Sequence, residues 1–203
     1  MNQNNYNKSV AVDLDDTICD TARIIVKYAK VFHKKVLRRK YKKIKLNNVD
    51  DYFYFALELG WDKDDVTRFF DYYYPEYLKF VKPVKHAKKA INYLKKIGFD
   101  VHIISARHLS SKEDVYNLTV MWLRKYGIPF DSLNIGEKDK TNFVKKYQCG
   151  LFIDDSYKNC TEIQNRLQIT SVLFLTKYNK KFINLDVKSI LSWKDLLKHG
   201  GVK

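Results

Sequence analysis

The fold class this sequence predicts is α/β, a parallel sheet with an inserted small helical cap. Three observations predict it. Short apolar runs alternate with helical patterns along most of the 203 residues. Three of those runs end in acidic or hydroxyl side chains, as strands of an open parallel sheet do where they meet a ligand. The stretch after the first run breaks the alternation, and it is helical in pattern and rich in aromatics.

The elements follow in order. Residues 9–14, SVAVDL, read as a first strand, and Asp13, Asp15 and Asp16 crowd its end. A helical pattern over 84–97 stops at Gly98 and leads into a second strand at 99–105, FDVHIIS. SLNIG at 132–136 is a weaker third strand, entered through the breakers Gly127 and Pro129. GLFIDD at 150–155 and SVLFLT at 171–176 are the fourth and fifth. Helical patterns at 111–126, 139–148, 158–167 and 192–199 separate or follow them. Such alternation implies a parallel sheet covered on both faces.

About 85 residues separate the first two strands, far more than one crossover helix requires. Residues 52–80 hold 12 of the chain's 30 aromatics, which marks the excess as a compositionally distinct unit. The expected organisation is a core made of 1–21 and 83–203, with a helical cap over 22–82. The clustered aromatics read first as the cap's own core, with two or three left to touch a substrate.

Composition excludes some classes. Hydrophobic residues at 45% and charged residues at 30% describe a globular protein, and no apolar run is long enough to span a membrane. The polar opening MNQNNYNK lacks the apolar segment of an export signal, so a cytoplasmic location is expected. Cys19, Cys149 and Cys160 fit neither a disulfide framework nor a zinc site. Cys19 lies close to the acidic cluster, but no His follows nearby, and a small buried apolar role suits it better than a nucleophile's. A net charge of +15 calls for an anionic partner. Residues 27–45 carry ten Lys or Arg and no acid. They read either as a patch that attracts phosphates or as a solvated helix face in a Lys-rich chain.

The chemistry lies at the strand ends. Asp13, Asp15 and Asp16 after the first strand, Ser105 after the second, and Asp154 with Asp155 after the fourth all reach the same sheet edge. Clustered carboxylates need a counter-charge. An all-oxygen set suits Mg²⁺, which takes a few carboxylates, waters and a substrate phosphate.

These segments resemble the four motifs of the haloacid dehalogenase-like (HAD) phosphatases. VAVDLDDT resembles the first motif, VHIISAR the second, Lys140 the third-motif lysine and FIDD the acidic fourth, in that order. The resemblance implies a HAD-like Rossmannoid core in which Asp13 is the nucleophile and Asp15 the general acid and base. It implies Mg²⁺ held by Asp13, the backbone carbonyl of Asp15, and Asp154, with Asp155 orienting from behind. Ser105 and the Ala106 N–H would hold a phosphoryl oxygen, Lys140 would balance its charge, and Thr17 would steady the loop beside the phosphate. Lys138 competes with Lys140 and is less well placed, because the KT pair opens a helix. Asp16 stands where the family often has Gly, and its own contact is open. Arg107 either reaches a phosphate or sugar or pairs with a core carboxylate.

An acid at Asp15 suits ester hydrolysis, with its poor leaving group, rather than dehalogenation. The arrangement is most similar to the cytosolic 5′(3′)-deoxyribonucleotidase and 5′-nucleotidase type. That implies a small phosphate ester as partner, a nucleoside monophosphate, whose base could stack on a cap aromatic. The alternatives are a phosphatase for another small ester or a polynucleotide end, and a non-catalytic nucleic-acid-binding module on the same fold.

Overall fold

Strand by strand, alternate residues go to opposite faces of one sheet, and that division builds two cores. The computed structural model describes residues 8–44, 54–107, 114–136, 139–183 and 185–198. The strands are β1 (Ser9–Val12), β2 (Asp100–Ser105), β3 (Ser132–Ile135), β4 (Leu151–Asp154), β5 (Thr170–Phe174) and β6 (Lys188–Ile190). They form one sheet in the order β3-β2-β1-β4-β5-β6, with every pairing parallel. Val10 and Val12 pack on one face with Val101, Ile103 and Ile153. Ala11 packs on the other with Ile104, Phe152 and Leu173.

Helices cover both faces, as the near-continuous apolar strands require. On the first lie α4 (Ala87–Lys96), α5 (Val115–Tyr126) and α8 (Trp193–Lys198). In α4, Ala87, Ala90, Ile91 and Leu94 are buried, a spacing that makes a single helical stripe. α5 ends at Gly127, whose φ of 61° suits the left-handed position after a helix. On the second face lie α6 (Thr141–Lys146) and α7 (Tyr157–Leu167), the latter capped by Ser156, whose hydroxyl accepts from Asn159 N–H at 3.3 Å.

The segment between β1 and β2 builds a core of its own. α1 (Thr21–Lys35), α2 (Tyr54–Glu58) and α3 (Lys63–Phe80) contribute Ile25, Phe32, Phe55, Phe69 and Leu78 to it, and Trp61 between α2 and α3 and Val115 of α5 join them. Its rings meet edge-on or tilted, with Phe32 5.2 Å from Trp61 and 5.6 Å from Phe69. Buried Phe55, Trp61, Phe69 and Tyr77 serve this packing, whereas Tyr72 and Phe80 are exposed. Tyr52 and Phe53 lie outside the described residues.

The five expected strands are present within two residues of their expected ends. β6 is an addition: it has three residues and one buried side chain, too short for an alternating pattern to show. Pro75 sits inside α3, where its ring removes one backbone bond without ending the helix.

Candidate active site

β1 lies between β2 and β4, so the ends of three adjacent strands converge. Asp13 follows β1, and its N–H donates to the Ile153 carbonyl at 2.8 Å, which sets it beside Asp154 at the end of β4. The next turn is tight: the Leu14 carbonyl accepts from both Ile18 and Cys19 N–H at 2.9 Å. Asp16 makes this turn with φ 59°, a left-handed conformation in which Gly costs least. Its carboxylate accepts the Ala22 N–H at 2.7 Å and so satisfies the start of α1. That is the contact the sequence left open.

Lys140 is the hub. Only 4% exposed, it donates through Nζ to Asp13 Oδ1 and to Asp154 Oδ2, the latter at 2.7 Å. Asp154 also accepts from Ser156 N–H at 2.7 Å and from Asn159 Nδ2 at 3.1 Å. One carboxylate oxygen from each of Asp13, Asp154 and Asp155 lies within 4.8 Å of the others. Asp13 Oδ2 is buried without a hydrogen-bond partner. Such an orphan in an all-oxygen cluster fits a hard divalent cation. Burial pushes the Asp13 carboxyl up to about 7, against the pull of Lys140 and with Asp154 and Asp15 adding to the rise. Burial also drives Asp155 well up, reinforced by Asp13, Asp154 and Asp16. Burial alone would lower Lys140, but its two carboxylates more than reverse that and hold it charged.

Asp15 faces a different set. Arg107 Nε donates to its Oδ2 and Nη2 to its Oδ1, both at 2.8 Å, a two-pronged pair that fits guanidinium geometry. Thr21 Oγ1 donates to Oδ1 at 2.6 Å, and Ser105 Oγ lies 3.4 Å from Oδ2. Burial would raise Asp15, but Arg107, the Thr21 hydroxyl and the Cys19 thiol outweigh it and hold the carboxyl below the usual range. Of the two roles open to Arg107, it takes the carboxylate here, and its third prong reaches Thr119 of α5 at 3.0 Å. Cys19 is buried, and burial pushes its thiol far up, which suits packing rather than attack.

Ser105 closes β2 and is buried, with Ala106 exposed just beyond it. Thr17 is fully buried, its hydroxyl 3.5 Å from Asp155 Oδ1 and its carbonyl accepting from Trp193 Nε1 at 2.8 Å. Lys138 lies outside the described residues. Two contacts went unread in the sequence. Tyr178 donates to Asp155 Oδ2, and Asn179 Nδ2 donates to the Asp155 carbonyl at 2.6 Å. Both come from the turn after β5, and nothing in the sequence separates that tyrosine from the chain's others.

This architecture, with carboxylates at the ends of β1 and β4, is a HAD-like fold. Solved structures that share it include a haloacid dehalogenase-like hydrolase from Streptococcus pneumoniae, with a TM-score of 0.68 at 11% identity over 96% of this chain and 99% of that one. A predicted phosphoglycolate phosphatase from Haemophilus somnus matches with a TM-score of 0.68 at 16% identity, covering 97% and 99% of the two chains. The chain belongs to the 5′ nucleotidase, deoxy (pyrimidine), cytosolic type C family, whose model matches residues 7–199. A nucleotidase of Clostridium acetobutylicum is 26% identical over 190 residues, 93% of this chain and 91% of its own length. The protein is thus a phosphoric monoester hydrolase of the nucleotidase-like kind. No helix among the described residues is long and apolar enough to cross a membrane.

Proposed function

We propose that the protein is a Mg²⁺-dependent phosphatase acting on nucleoside 5′-monophosphates, deoxyribonucleotides among them, through an aspartyl-phosphate on Asp13. The observation that carries this reading is the buried Lys140 bridging Asp13 and Asp154, beside an Asp13 oxygen with no partner. One Asp13 oxygen would attack phosphorus in line while the other takes the metal. The Asp13–phosphorus bond forms as the ester oxygen departs, and Asp15 supplies its proton. Asp15 then takes a proton from the water that cleaves the intermediate. Its pair with Arg107 favours the ionised form this second step needs, so for the first step Asp15 would have to leave that pair and take up a proton. Ser105, the Ala106 N–H and Lys140 would hold the phosphoryl oxygens. Mg²⁺ would be held by Asp13, Asp154 and the Asp15 carbonyl, with the Asp155 carboxylate in the same cluster, and would offset charge on the phosphoryl group. The helical segment over 22–82 would act as a cap that excludes water.

The test is phosphate release from a panel of nucleoside monophosphates and sugar phosphates, with and without EDTA. Turnover should favour a nucleotide, stop on chelation and vanish in Asp13→Asn together with any trapped aspartyl-phosphate. Asp15→Asn should slow turnover by roughly 10²–10⁴-fold. With p-nitrophenyl phosphate, whose leaving group needs no proton, the intermediate should accumulate instead. A sugar phosphate as best substrate would overturn the nucleotide reading. Activity after exhaustive chelation would overturn the metal.

A further inference from the structure

α1 carries a second feature, apart from the phosphoryl site. Arg23, Lys27, Lys30 and Lys34 follow one another at spacings of four, three and four residues, so they share one helical face, and all four are exposed. Residues 27–43 hold nine Lys or Arg and no acid, so more than half of the net charge of +15 sits on under a tenth of the chain. Some of this charge is spoken for. Arg39 pairs with Asp65, Arg23 lies 3.9 Å from Asp20, and Lys30 lies 5.5 Å from the centre of the Tyr41 ring. Lys27, Lys34, Lys35 and Arg38 form no ion pair among the described residues.

A solvated face accounts for lysines. Tyr28 and Tyr73 are half-buried against the cap's core, but that packing does not account for Tyr72, which stands open beside the row. Tyr28, next to Lys27, lies 5.0 Å from Tyr73 of α3, and Tyr73 lies 5.1 Å from Tyr72. Tyr72 is 66% exposed. A row of cations flanked by an exposed ring, itself backed by two half-buried ones, is an arrangement that tracks a phosphate backbone while a base stacks. α3 also carries the exposed acid Glu76, whose charge reaches Tyr28. A duplex keeps its bases stacked on each other and cannot use the rings.

We propose that this face of α1, together with Tyr28 and Tyr72, binds single-stranded nucleic acid. The surface does not depend on the hydrolytic reading, so it is tested with a strand that has no terminal phosphomonoester. The probe is a fluorescein-labelled, mixed-sequence single-stranded 12-mer, read by anisotropy across a salt series. The wild type should bind with log K falling against log salt at a slope of about −2 to −3, as three or four phosphates are neutralised. Lys27→Gln/Lys30→Gln/Lys34→Gln should flatten that slope by about 2. Tyr72→Ala should weaken binding by about tenfold at every salt concentration, the scale of one lost stacked base. Both variants should keep wild-type melting and wild-type turnover of p-nitrophenyl phosphate. Lys85→Gln/Lys88→Gln/Lys89→Gln, beside and on α4, removes the same charge elsewhere and should leave binding intact. No binding by the wild type would overturn the proposal. So would equal loss in the α4 variant, equal affinity for the duplex, or indifference to Tyr72→Ala.

Discussion

At the scale of single residues, the acidic edge trades stability for chemistry. Asp13 holds its proton up to about 7 because it is buried, against the ordinary 3.8, so between those values the folded chain binds more protons than the unfolded one. The stability attached to Asp13 is therefore full below 3.8 and lost as pH rises through about 7. In metal-free buffer Asp13→Asn should melt above the parent at pH 8, with the gain shrinking toward pH 4; thermal melts at both pH values check it. Lys140 works in the opposite sense. Lys140→Met leaves two buried carboxylates without their cation and should cost about 3–5 kcal/mol in urea titrations. Mg²⁺ should restore part of that loss, as a second source of positive charge. Asp13, Lys140 and Asp154 were legible in the sequence because each stands at a strand end or helix start within an ordered motif. Tyr178 and Asn179 were not, because their contacts exist only once the turn after β5 closes on Asp155.

At the scale of elements, boundaries were legible where a physical stop exists. Gly127 ends α5, and Gly98 with φ 89° turns the chain from α4 toward β2. Gly127→Ala forces a left-handed alanine whose Cβ would sit 2.8 Å from Lys88 Nζ, the mobile end of a side chain. The steric part relaxes, and the backbone part should cost about 1 kcal/mol, read as a lower melting temperature with turnover unchanged. β6 escaped because an edge strand with one buried side chain has no period to detect. The aromatic insertion was legible as a compositional shift. Which rings face inward was not, since Phe69 and Tyr72 lie one turn apart on the same helix and differ only in what α1 and α2 set against them.

At the scale of the whole molecule, the last helix is tied to the first loop. Trp193 is fully buried, and its Nε1–H donates to the Thr17 carbonyl, one turn from the carboxylates. Trp193→Phe keeps most of the packing but strands that carbonyl, at a cost of about 1–3 kcal/mol. Equilibrium unfolding should show the loss; an unchanged midpoint would leave Trp193 as packing alone. The sheet order has a further consequence for how the protein is made. β1 emerges from the ribosome first yet ends in the interior of the sheet, with both edges unpaired until β2 and β4 arrive. β4 follows about 140 residues later, roughly 10–30 s at ordinary rates of translation. Through that interval at least one edge of an apolar strand that ends in three acids stays unpaired. The same acids that later crowd the sheet edge then act as gatekeepers, their mutual repulsion discouraging one growing chain from pairing with another.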